Sequence, residues 1–114
     1  QRYNEHLKDL PIRLPAEGET TTHVYHLYVI ELQDNATRDA LRVHLAGRGI
    51  MAGIHYELGV HEQPAYRDRI RTGTMAVTER LARTVLSLPL YPELTDQDQQ
   101  RVSDAVQSFF AQRK

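Results

Sequence analysis

Apolar residues recur along this 114-residue chain with two periods, and the switches between them predict its elements. Tyr3, Leu7 and Leu10 stand at helical spacing, so residues 1–9 read as the tail of a helix. Pro11 and Pro15 bracket Ile12-Arg13-Leu14, and a piece flanked by residues without amide donors can only be an edge or a strand end. Glu17-Gly18-Glu19 and the threonines behind it form a polar loop. Residues 24–32 are rich in β-branched and aromatic side chains and apolar at both parities, which predicts a central strand covered on both faces. Asp34-Asn35 turns the chain and can cap a helix over residues 36–48, with Leu41 and Leu45 inward. Arg48-Gly49 is its stop, a basic last turn followed by glycine where a left-handed conformation is needed.

The second half repeats the alternation. Residues 50–56 read as another strand, and Pro64 opens a short helix because its fixed φ suits a first turn. A third helix covers residues 76–85, with Val77, Leu81 and Val85 aligned, and residues 86–90 form a short extended segment closed by Pro89 and Pro92. Thr95-x-x-Asp98 is a capping box for a last helix that buries Val102, Ala105, Val106, Phe109 and Phe110. The expected fold is α/β of the α+β type, a small antiparallel or mixed sheet with helices packed mainly on one face. No repeat, low-complexity tract or linker interrupts it, so residues 1–114 are one domain.

Composition narrows the function. Apolar residues make up 40% and charged residues 25%, a balance that argues for a folded core rather than disorder. The formal charge of −1 gives no global reason to bind nucleic acid or an anionic membrane. Arg67, Arg69 and Arg71 form a short basic run, but acidic residues interrupt it and no stacking platform accompanies it. No apolar run approaches the roughly 20 residues that span a bilayer. The absence of cysteine removes thiolate chemistry and fits a reducing, cytoplasmic setting. The chain starts at Gln1 without methionine, as a trimmed chain, a processed chain or a fragment would.

Candidate chemistry concentrates between Gly53 and Tyr66. His55, Tyr56, His61, Gln63 and Tyr66 place groups that donate, accept and stack where the backbone changes direction, which is where binding residues tend to sit. On a strand His55 and Tyr56 would point to opposite faces, so one could be core and the other surface. His61, Gln63 and Tyr66 could equally contact a ligand or serve as caps and packing. His26, inside the expected buried strand, reads first as a satisfied core histidine. A metal site from His55, Glu57, His61 and Glu62 is disfavoured, because their spacing matches no tetrahedral ligand pattern.

Several strings together resemble the C-terminal small domain of the DegT/DnrJ/StrS family of pyridoxal-phosphate-dependent nucleotide-sugar aminotransferases. They are Val24-Tyr25-His26-Leu27-Tyr28-Val29, Arg38-Asp39-Ala40-Leu41, Leu45-Ala46-Gly47-Arg48-Gly49-Ile50, Gly53-Ile54-His55-Tyr56, His61-x-Gln63-Pro64-Ala65-Tyr66, and Ala82-Arg83 leading to Leu86-Ser87-Leu88-Pro89-Leu90-Tyr91-Pro92-Glu93-Leu94-Thr95. Their order and spacing cover nearly the whole chain. One departure is visible: Glu57-Leu58-Gly59 stands where the family usually has a proline after the His-Tyr pair and further apolar residues.

The resemblance implies the C-terminal domain of a fold-type I transferase, residues 1–10 being the end of an interdomain helix. It implies that a larger N-terminal domain binds pyridoxal phosphate and supplies the covalently bonding lysine, in a homodimeric enzyme. The present chain would add substrate-side contacts, with His55, Tyr56, His61, Gln63 and Tyr66 at the nucleotide-sugar and His26 in support of the cofactor pocket. Its lysines are Lys8, in the interdomain helix, and Lys114, at the terminus, and no phosphate cradle is evident. The chain alone is therefore expected to hold no cofactor and no catalytic residue. The alternative is an autonomous small-molecule-binding or regulatory module without enzymatic activity. A face that meets a large domain would be partly apolar when exposed.

Overall fold

The computed structural model describes residues 2–113; Lys114 lies outside the described residues. Helix α1 (Arg2–Leu7) buries Tyr3 and Leu7 completely, as its spacing predicts. The chain then touches β1 (Tyr28–Glu31) through one bridge, Arg13 to Glu31, so the proline-flanked piece is an edge. Helix α2 (Asn35–Ala46) begins where the Asp34 carboxylate accepts from the Thr37 amide at 2.7 Å. That hydrogen bond holds the Asp34 carboxyl below its usual range. Gly49 takes φ +71°, and the Ile50 amide reaches back to the Leu45 carbonyl at 3.0 Å, closing the helix end in left-handed geometry.

Helix α3 (Ala76–Thr84) runs directly into β2 (Val85–Leu88), which pairs antiparallel with β1 in the register Tyr28 to Leu88 and Glu31 to Val85. A second bridge, Gly53 to Ser87, flanks β2 on its other side. The sheet is thus two antiparallel strands with a single bridge on each edge. Helix α4 (Asp96–Ala111) starts where the Thr95 hydroxyl accepts from the Asp98 amide at 3.1 Å, and it packs against both α1 and α2. One core unites Tyr3, Leu7, Tyr28, Ile30, Leu41, Leu45, Leu86, Val106 and their neighbours. Each fully buried aliphatic side chain there stabilises the fold by roughly 1.5–3 kcal/mol.

Five expectations are corrected. The strand expected over residues 24–32 shortens to Tyr28–Glu31, because β2 offers only four residues to pair with. Before it, Tyr25 adopts φ +50° and its amide bonds to His23 Nδ1 at 2.8 Å, a local turn that takes the chain off the sheet. The strand covered on both faces is β2, all four of whose residues are buried, whereas β1 alternates. The expected strand over residues 50–56 is reduced to the Gly53 bridge. A short 3₁₀ turn (Val60–Glu62) precedes Pro64, and the proline itself enters hydrogen-bonded turns rather than a helix. Finally, α3 turns Ala82 and Thr84 inward and leaves Val77 63% exposed.

Candidate functional site

The backbone of β2 builds the best-formed cavity, about 470 Å³ in volume. Ser87 is among its lining residues: its amide donates to the Gly53 carbonyl at 2.7 Å and its carbonyl accepts from the Gly53 amide at 3.0 Å. That bridge holds Gly53 beside β2, and the turn of chain after it brings the His55 ring back to Ser87, with Nδ1 2.9 Å from Oγ. The ring lies so close to Gly53 that a Cβ there would meet Cε1 at 2.7 Å, so a larger residue would displace the imidazole. Apolar walls come from Leu27, Leu88 and Leu90, while Tyr91 and Arg101 add a phenol and a guanidinium. The Arg101 guanidinium is held by a 2.6 Å bond to the Arg48 carbonyl.

Of the sequence-derived candidates, only His55 lines this cavity among the described residues. Tyr56 is 72% exposed and meets the His55 ring edge-on, at 5.5 Å between centroids and 86° between planes. The two rings are therefore neighbours rather than residents of opposite strand faces, because the chain leaves the sheet after Gly53. His61 packs over Gly59, where a Cβ would lie 2.6 Å from its Cε1, and its Nε2 is 3.3 Å from Glu79 Oε1 on α3. Gln63 is half-buried and its carbonyl accepts from the Tyr66 and Arg67 amides at 2.9 and 2.8 Å. Tyr66 is exposed. His26 is exposed in a bend before β1, not a core histidine, because the strand expected to bury it does not form there.

The four side chains weighed as metal ligands go to four different partners. His55 meets Ser87, Glu57 pairs with Arg42 at 3.5 Å, His61 meets Glu79, and Glu62 accepts from the Gly59 amide at 3.0 Å. No cluster of three ligands exists among the described residues. Ser87, Gly53, Tyr91 and Arg101 were not singled out from the sequence. The available signal was Ser87, one hydroxyl inside the apolar run Val85-Leu86-Ser87-Leu88.

A two-stranded antiparallel sheet backed by four helices, with a cleft against its buried strand, is the architecture of a domain of the fold-type I aminotransferases. The chain belongs to the DegT/DnrJ/EryC1/StrS aminotransferase family, whose model matches residues 1–107. It is similar to S. venezuelae DesV, solved in complex with a ketimine intermediate, at 39% identity and a TM-score of 0.87, covering 95% of this chain and 29% of that one. A DegT DnrJ EryC1 StrS aminotransferase from Brucella abortus is 33% identical with a TM-score of 0.84, over 96% of this chain and 28% of its own length. NtdA from Bacillus subtilis, solved with bound cofactor PMP, is 27% identical with a TM-score of 0.81, over 96% and 26%. The chain thus spans less than a third of the length of these structures.

The described residues do not fit a covalently held pyridoxal phosphate. Lys8 is exposed just beyond α1 and is not among the cavity's lining residues. The helix end nearest the cavity belongs to α4, whose first turn carries Asp96 and Asp98 and whose amide at Asp98 is taken by Thr95. Two carboxylates there oppose a phosphate. No helix among the described residues is long and apolar enough to cross a membrane.

Proposed function

We propose that this chain is the C-terminal, substrate-side domain of a pyridoxal-phosphate-dependent aminotransferase acting on a nucleotide-linked keto-sugar, and that it is not catalytic alone. The observation that carries the reading is a cavity with polar groups suited to hydroxyl recognition and no amine in its lining. His55, Tyr91 and Arg101 offer hydrogen bonds to sugar oxygens, and the leucines supply an apolar floor for a pyranose face. Tyr56 adjoins the His55 ring, and we assign His61, Gln63 and Tyr66 to the ligand from the loop that follows, outside the cavity lining. His26 is kept as a support of the cofactor pocket, since an exposed imidazole before β1 is free to face another domain.

The cofactor chemistry then belongs to a larger domain of the same protein, working in a cytoplasmic homodimer with residues 1–10 as the join between the domains. Exposed apolar side chains support that partner: Val60 is 66% and Ile70 44% exposed on the segment that follows the cavity wall. Burial of such a surface against the larger domain would order the loop and close the sugar end of the site.

Borohydride reduction of the full-length protein with pyridoxal phosphate, followed by peptide mapping, tests the division of labour. The pyridoxyl-lysine is expected outside residues 1–114; finding it on Lys8 or Lys114 sinks the proposal. In the same protein His55→Ala is expected to raise KM for the nucleotide-sugar by about tenfold, the upper end of one lost neutral hydrogen bond.

A further inference from the structure

β2 is apolar except at Ser87, and that serine is only 4% exposed. A buried hydroxyl proton needs an acceptor. Among the described residues His55 Nδ1, 2.9 Å away, is the hydrogen-bond partner of Ser87 Oγ, and no other is present. A neutral imidazole has one nitrogen that accepts and one that donates, and the contact made by the first decides where the ring proton sits. If Ser87 donates to Nδ1, the proton resides on Nε2. That nitrogen has no partner among the described residues, on a ring that lines the cavity.

The surroundings fix this arrangement twice. Ser87 and Gly53 are joined by both of their backbone hydrogen bonds, which fixes the serine backbone beside the ring so that a single χ1 rotamer brings the hydroxyl to Nδ1. Gly53 leaves room for the ring, since any Cβ there would strike Cε1 at 2.7 Å. Glycine and serine thus form a socket, one by its lack of a side chain and the other by its single proton.

We infer that Ser87 is a positioning residue that, with Gly53, holds His55 as the Nε2–H tautomer, so that His55 is a hydrogen-bond donor to an acceptor oxygen of the ligand. The consequence is selectivity. A hydroxyl or keto oxygen at that point is accepted, whereas an ammonium, which has no lone pair, meets a donor with a donor. The identity of the ligand as a keto-sugar rests on the function proposed above; the tautomer does not.

Full-length protein labelled with ¹⁵N at histidine tests the socket by long-range proton–nitrogen correlation, with His55→Gln assigning the signals. In the wild type His55 Nδ1 is expected to be unprotonated and Nε2 protonated. Ser87→Ala should give an exchanging mixture of tautomers, and Ser87→Thr, which retains the hydroxyl, should restore the single form. A wild-type His55 protonated at Nδ1, or an Ala variant with an unaltered spectrum, overturns the inference. Steady-state kinetics with a nucleotide-linked keto-sugar form the second arm: Ser87→Ala should raise KM about fivefold with kcat within about twofold, the scale of one weakened hydrogen bond. An altered tautomer with unchanged KM overturns the donor role. A wild-type enzyme that turns over no nucleotide-sugar overturns the function proposed above, and the spectrum then still decides the socket.

Discussion

Residues 85–110 and residues 51–75 are nearly equal in length and opposite in character. The first stretch contains β2, buried at every position, and the inward face of α4. In the second, Gly59 is the one buried residue among those described, although Met51, Ile54, Tyr56, Leu58, Val60, Tyr66 and Ile70 make it apolar in composition. Apolar content alone therefore does not bury a segment; a covering neighbour does. The radius of gyration reflects the difference, 15.6 Å against the roughly 13 Å expected of a compact chain of this length. A long loop without regular structure is uncommon in a compact domain and is usually functional. Here it holds the outer wall of the cavity and an uncovered apolar surface.

Three experiments can break or sharpen that contrast. The largest effect is expected in the core: Leu86→Ala should lower unfolding free energy by about 2–5 kcal/mol, while Val60→Ser changes it by no more than about 0.5 kcal/mol. Urea midpoints measured on this chain decide it, and equal losses at the two sites would abolish the distinction. Next comes an alkaline effect confined to the core. Burial, with the neighbouring Tyr25, pushes the Tyr28 phenol up to about 12, and burial pushes Tyr3 up as well. An unfolded tyrosine ionises near pH 10. Above that pH the unfolded chain releases the proton first, so stability is retained below about pH 10 and falls as pH rises toward 12. The urea midpoint should decline across that window, and Tyr28→Phe should flatten the decline; an unchanged slope would count against the buried phenols as its source. The smallest effect is expected at Arg42 and Glu57, an exposed pair 3.5 Å apart that ties α2 to the loop. Arg42→Ala should cost less than about 0.5 kcal/mol and less still in high salt, because exposed ion pairs are screened. A loss several times larger would mean that the loop is anchored by this chain itself.

How much of this was readable from residue order depends on whether the signal is local. Caps and stops were legible: Asp34, Thr95 and Gly49 act on backbone groups within a few positions, and all three behave as expected. The last helix announced its buried face, since Val102, Ala105, Val106 and Phe109 pack on one body. The strand over residues 24–32 did not hold, because propensity cannot count the residues available for pairing. Val24, 89% exposed, has the side chain of a strand and no partner to pair with. Val77 failed for a related reason: helical spacing marked it as inward, but α3 buries Ala82 and Thr84 near its end, while Val77 in its first turn has no covering neighbour and is 63% exposed. At the site His55 was singled out and Ser87 was not. A lone serine in the apolar run Val85-Leu86-Ser87-Leu88 marks a position without naming its partner, which only the bridge to Gly53 and the His55 ring supply.

The first helix has a mechanical consequence. Tyr3 sends its hydroxyl to the Pro89 carbonyl at 2.8 Å, Arg2 pairs with Asp96 at 2.6 Å, the His6 carbonyl accepts from Gln107 at 2.7 Å, and Asn4 accepts from Tyr28. Four fasteners thus join one short helix to the segment after β2, both ends of α4 and the start of β1. A torque applied to the chain at Arg2 is delivered to the whole body at once, with the Pro89 segment that lines the cavity among the first parts to feel it. Any pivot between this body and a segment joined to it upstream must lie before α1, and α1 is the lever rather than the hinge.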